Sequence, residues 1–115
     1  MSKKIYIILL IIGLFSFTEK KSFNDYIKKD LPYLKNLYLN IHKNPEISLM
    51  EKETSEKLAI ELEKIGFEVT RKFGGYGIVG VFKNGNGPTI LYRTDMDALP
   101  MKEKTGLPYA SNIIT

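Results

Sequence analysis

Two aspartates, Asp95 and Asp97, share the stretch Arg93-Thr94-Asp95-Met96-Asp97-Ala98-Leu99-Pro100, directly after the apolar run Thr89 to Tyr92. A short run that is nearly all apolar reads as a strand covered on both faces. In open α/β sheets, ligands bind in the crevice beyond the carboxyl ends of such strands. Carboxylates gathered there can serve a metal ion or move a proton. They also have a plainer use, because a short aspartate side chain caps a turn such as the one before Ala98 by accepting from backbone amides. The residue types alone leave both uses open.

The other groups able to do chemistry are few. The chain has no cysteine and a single histidine, His42. A zinc site takes about three or four ligands, several of them usually nitrogen or sulfur. This chain offers one imidazole and otherwise carboxylates. His42 falls at the polar end of a helical stretch, beside Asn44 and Pro45, where a histidine either bonds nearby backbone or acts directly as ligand or base. Without cysteine there are no disulfides, and the redox compartment stays undetermined.

The glycines Gly74, Gly75 and Gly77 lack the spacing and following helix of a nucleotide-binding loop and read as a turn. Charge excludes another class. The formal net charge is +4, from 17 basic and 13 acidic residues, and leaving out Lys3 and Lys4 reduces it to +2. The lysines are interspersed with glutamates rather than clustered with aromatics, so a solvated surface is expected and nucleic acid is not.

The elements that must position these groups follow from periodicity. Between Phe23 and Asn44, apolar residues recur at spacings of three and four, which predicts a helical stretch with one packed face. Pro32 interrupts it, so the helix is expected to start at Asp30 or Leu31, capped by Asp30, after a short separate piece. Ser48-Leu49-Met50-Glu51 fits a capping box. A second helix should run from there through Leu58, Leu62 and Ile65 to a stop at Gly66, with its glutamates and lysines on a solvated face. Phe67 to Phe73 alternates as a half-buried strand, and Ile78 to Phe82 is another. Asn84-Gly85-Asn86-Gly87 signals a tight hairpin joining Ile78 to Phe82 with Thr89 to Tyr92 as an antiparallel pair. The expected fold class is α/β, with helices packed on a small mixed sheet and the Thr89 strand near its middle. Met101 to Thr115 reads as an extended loop.

Residues 1 to 18 read as a signal peptide, with Lys3 and Lys4 before the apolar run Ile5 to Phe17. Thirteen residues as a helix span roughly 20 Å, short of the roughly 30 Å hydrocarbon core, so export is favoured over anchoring. Membrane attachment would come only through this segment if it stays uncleaved. Residues 19 to 115 then form the single domain that 115 residues allow.

Five segments in order carry a resemblance: Ile41-His42-Lys43-Asn44-Pro45-Glu46-Ile47-Ser48, then Glu53-Thr54, then Leu62 to Thr70, then Gly77-Ile78-Val79-Gly80, and last Arg93 to Pro100 with Glu103 and Thr105 to Tyr109. From Tyr33 to Ser111 the sequence resembles the amino-terminal part of the metal-dependent amidohydrolases related to aminoacylase, in the subgroup of hippurate and indole-acetyl-amino-acid hydrolases.

The resemblance implies the amino-terminal portion of a metallopeptidase catalytic domain, incomplete and stopping before the metal-ligand motif. It implies a divalent metal pair (zinc, manganese, cobalt or nickel) in the full-length family, and a small N-acyl amino acid or peptide-like substrate. The ligand motif that the subgroup carries after the Tyr109 region, His-Ala-Cys-Gly-His-Asp, is not in this sequence. His42 does not match a ligand position, so no metal ligand is assigned. Asp97 matches an aspartate that supports the metal site from behind its ligands, and Asp95 matches a ligand position that the subgroup replaces. Asp97 is therefore the first candidate for catalytic support and Asp95 the weaker one, against the turn-capping use of both. The isolated chain is expected to be inactive. The alternative is a non-catalytic, exported or membrane-tethered binding module derived from the same fold.

Overall fold

The computed structural model describes residues 22 to 114; the proposed signal segment lies outside them. The elements run α1 (Phe23–Lys43), α2 (Lys52–Lys64), β1 (Glu68–Phe73) and β2 (Gly77–Val81), so the α/β class holds. The chain divides into two compact units between Tyr33 and Leu34. No described helix is long and apolar enough to cross a membrane.

In the first unit, α1 starts at Phe23 rather than Asp30, and Pro32 lies inside it. Its start is fixed by a reciprocal cap: the Asn24 amide donates to Ser22 Oγ at 3.1 Å, and the Ser22 amide to the Asp25 carboxylate at 2.9 Å. Proline there removes one helical donor. The residues around it are exposed, so water can satisfy the carbonyl left over.

The second unit begins with the last turns of α1, from Leu34 onward, where Leu37, Leu39, Ile41 and His42 are half-buried. The packed face expected along the whole helix is thus confined to its end, and no α1 residue is fully buried. After α1 the chain turns at Ser48 and Leu49. Leu49 adopts φ 66°, and the Met50 amide donates to the Ile47 carbonyl at 3.0 Å. That turn uses Ser48, so the expected capping box does not form, and Glu51 stands at the N-cap without a side-chain cap bond.

The end of α2 matches expectation. Gly66 takes φ 93°, the Phe67 amide reaches back to the Leu62 carbonyl at 3.1 Å and the Gly66 amide to Glu63 at 3.0 Å, which is a Schellman stop. β1 then pairs antiparallel with β2 (Glu68 opposite Val81, Thr70 opposite Val79), with an irregularity between Thr70 and Phe73. Lys72 takes φ 58° there.

The sheet packs on α2, and Gly80 permits the approach: a Cβ at Gly80 would lie 3.1 Å from both Leu62 Cδ1 and Phe67 Cδ1. Ala59 on α2 is fully enclosed, with Thr54 and Ser55 buried nearby in the sequence. The Ser55 hydroxyl donates to the Tyr76 carbonyl, tying the start of α2 to the β-turn. Arg71 on β1 spans Glu56 at 3.0 Å and Glu63 at 2.9 Å on the solvated side of the helix.

The third expected strand is absent. Asn84 to Gly87 bends without forming a hairpin, and Thr89 to Tyr92 is unpaired, with Ile90, Leu91 and Tyr92 exposed by 80, 86 and 96%. Among the described residues the sheet is therefore two-stranded and antiparallel, not mixed. A strand exists only where a neighbour takes its ladder hydrogen bonds. Pro88 also has no amide to offer at the start of the run. Among the described residues an isolated parallel bridge pairs Ile47 with Ala98.

Candidate functional site

The Arg93 to Pro100 stretch closes one side of an open hollow of about 370 Å³, whose opposite side includes Ser48, Glu51 and Tyr76. Asp95 and Asp97 both line it. Asp95 is paired with the Arg93 guanidinium at 2.7 Å, an exposed contact worth little in water. Asp97 is exposed. The turn before Ala98 has a backbone tie. It is held by the Ala98 amide, which donates to the Glu46 carbonyl at 2.7 Å.

Glu46 is the residue that the sequence reading passed over. Its carboxylate accepts from the Glu53 amide at 3.1 Å and the Thr54 amide at 2.7 Å. These are the second and third amides of α2, two of the donors that a helix start leaves unpaired, and a negative charge there also suits the helix dipole. Burial pushes the Glu46 carboxyl upward, but the Thr54 and Glu53 amides, the Thr54 hydroxyl and nearby Lys57 outweigh it and hold it below the ordinary carboxylate range. Through its side chain Glu46 starts α2, and through its backbone it anchors the aspartate stretch.

A second polar cluster holds the loop beyond that stretch. His42 Nε2 lies 2.8 Å from the Glu103 carboxylate. The other oxygen of Glu103 accepts from the Thr105 hydroxyl, and the Ser111 amide donates to the carboxylate at 2.7 Å. Ser111, itself buried, donates its hydroxyl to the Lys43 carbonyl at 3.2 Å. The Thr105 hydroxyl foremost, then the Ser111 amide, hold the Glu103 carboxyl below its usual range against the effect of partial burial, with His42 adding to them. The His42 ring packs in a triangle with Tyr38 and Tyr109, its centroid 5.6 Å from each and theirs 6.5 Å apart. His42 thus bonds a side chain 61 positions away rather than nearby backbone. The order of the matching segments, with His42 and Glu46 in the first and Glu103 in the last, was the available signal for this convergence.

Among the described residues, no group of three or more His, Cys, Asp or Glu side chains could hold a metal ion. Asp95 and Asp97 alone do not make a site for a metal pair, so no step of chemistry is derived through one.

No protein-family model matches the chain. Relatives do. The chain is 47% identical over 72 residues to a hippurate hydrolase of Campylobacter jejuni, covering 62% of this chain and 19% of the relative. It is 37% identical over 73 residues to the IAA-amino acid hydrolase ILR1-like 5 of Arabidopsis thaliana, covering 64% and 17%. With the N-acetylcysteine deacetylase of Bacillus subtilis it shares 37% over 80 residues, covering 68% and 21%. Among solved structures, the Bacillus subtilis YxeP protein, a dinuclear metal-binding peptidase of the M20 family, superposes with a TM-score of 0.67 at 34% identity, over 76% of this chain and 25% of that one. The chain spans about a fifth of the length of these curated relatives. Sequence and fold agree in making the chain similar to the amino-terminal part of the hippurate and IAA-amino acid hydrolases and of an M20 dinuclear metallopeptidase.

Proposed function

We propose that the chain supplies the amino-terminal portion of a catalytic domain that hydrolyses the amide bond of small N-acyl amino acids with a divalent metal pair, and that by itself it does not turn over substrate. The observation that carries this reading is the convergence of the family-like segments. The Ile41 to Ser48 segment caps α2 through Glu46, pairs with Ala98 and reaches Glu103 through His42. In this reading Asp97 supports, from the wall of the hollow, ligands that the described residues do not contain, and Asp95 is a weaker candidate for the same task. What this chain's residues do is structural: they hold the wall in place. The metal, when bound in a complete domain, would supply the activated water. Residues 1 to 18 act in this reading as an export signal. Mass spectrometry of the exported protein tests that assignment, and a mature chain still starting at Met1 contradicts it.

The reading is tested by purifying residues 19 to 115, adding zinc, cobalt, manganese or nickel, and assaying hippurate and N-acetyl amino acids. No release above the blank is expected. Metal-dependent turnover contradicts it.

A second reading, a non-catalytic module that binds a partner, is favoured by one feature. Ile90, Leu91 and Tyr92 form an exposed apolar run with no paired neighbour among the described residues. Unpaired extended segments of this kind invite pairing with another chain. Sedimentation of the purified chain separates the readings, since a defined complex of fixed stoichiometry supports the module and a monomer removes it.

A further inference from the structure

The wall of the hollow needs something to hold it, and two ties bracket one short segment. Glu46 takes the Ala98 amide, and His42 takes Glu103. The chain from Ala98 to Glu103 is therefore pinned at both ends to the segment Ile41 to Ile47. We propose that His42 and Glu103 are positioning residues: together they latch the loop 101 to 111 onto the end of α1 and thereby seat the Arg93 to Pro100 stretch.

Three observations bear the proposal. First, the contact is shielded, with the His42 side chain 29% exposed and that of Glu103 15%, so water competes for it less than for the exposed pairs on α2 and β1. Second, Glu103 is a hub. It receives His42, the Thr105 hydroxyl and the Ser111 amide, so a single carboxylate closes its own loop and joins it to the helix. Bonds to an ionised carboxylate are the strong kind. Third, the Ser111 hydroxyl makes a separate bond to the Lys43 carbonyl, one of the acceptors that the end of α1 leaves unpaired. The loop thus satisfies the helix end, while Tyr38 and Tyr109 pack against the imidazole.

His42 and Glu103 touch neither aspartate, and their effect on the hollow runs through the backbone between Glu103 and Ala98. Its importance for hydrolysis rests on the amidohydrolase reading, but the latch itself does not, so the test uses no turnover. Amide hydrogen exchange is followed by mass spectrometry or NMR in the full chain and in His42→Ala, His42→Gln and Glu103→Ala. The expected result is a loss of protection of about tenfold or more at Ser111 and Ala98 in His42→Ala and Glu103→Ala, with Thr54 and Val79 unchanged. His42→Gln, which keeps a donor within reach of the carboxylate, should recover part of it. Unchanged protection at Ser111 overturns the latch. A loss at Ser111 that leaves Ala98 untouched overturns the seating of the aspartate stretch. An equal loss at Thr54 and Val79 reduces the pair to general stability and also overturns the proposal. Failure of the hydrolysis reading alone would leave all these exchange results intact.

Discussion

The piece formed by α2, β1 and β2 and the segment from Phe82 to Ile114 have similarly apolar stretches and very different fates. The first is closed by local signals at nearly every joint: a stop at Gly66, a turn between the strands and a glycine that lets strand and helix meet. The second is held at Ala98 and around Glu103, and its apolar run Ile90 to Tyr92 faces solvent. The difference shows that hydrophobic composition alone does not make an element. Leu62 and Leu91 are the same residue type, but only Leu62 has a helix frame that aims it at a sheet.

The largest test of this contrast is Glu46→Ala. It removes both side-chain acceptors from the start of α2 and leaves the buried Thr54 amide unpaired, which should cost about 1–3 kcal/mol in urea unfolding. The same group gives a pH signature. Because the Glu46 carboxyl is held below its ordinary range in the folded chain, its contribution is complete above that range and is lost as pH falls through the depressed value. An acid titration of stability should therefore be flatter in Glu46→Ala than in the parent. Next comes Gly80→Ala, which forces a methyl against Leu62 and Phe67 and should cost about 1–2 kcal/mol. Arg71→Ala should cost less, and the cost should shrink in high salt because the pairs to Glu56 and Glu63 are exposed. Leu91→Ser is the smallest, within about 0.5 kcal/mol of the parent, since Leu91 is already in water. A large loss at Leu91 would break the contrast by showing that the open segment packs in solution.

What was legible in the sequence was local. The glycine after α2 and the alternation of β1 depend on near neighbours or on fixed backbone preferences. The capping box at Ser48 failed because the turn at Ser48 and Leu49 delays α2 to Lys52, where Glu46, a residue from before the turn, takes the Glu53 and Thr54 amides. The proline break in α1 failed because a cap at Ser22 starts the helix early enough to carry through Pro32. The Thr89 strand failed because a strand is a property of two segments, and composition describes one. His42 was placed correctly at a helix end, but its partner lies 61 positions on, a distance at which periodicity carries no information.

The family-like segments form a folded piece that pins the aspartate stretch at two points and leaves the run before it open. Amide hydrogen exchange of the unmodified chain tests this most directly. The predicted result is protection at Ser55 and Val79, intermediate protection at Ala98 and Ser111, and near-unprotected exchange at Ile90, Leu91 and Tyr92. Uniformly fast exchange, or protection at Ile90 to Tyr92 equal to that at Val79, would contradict it.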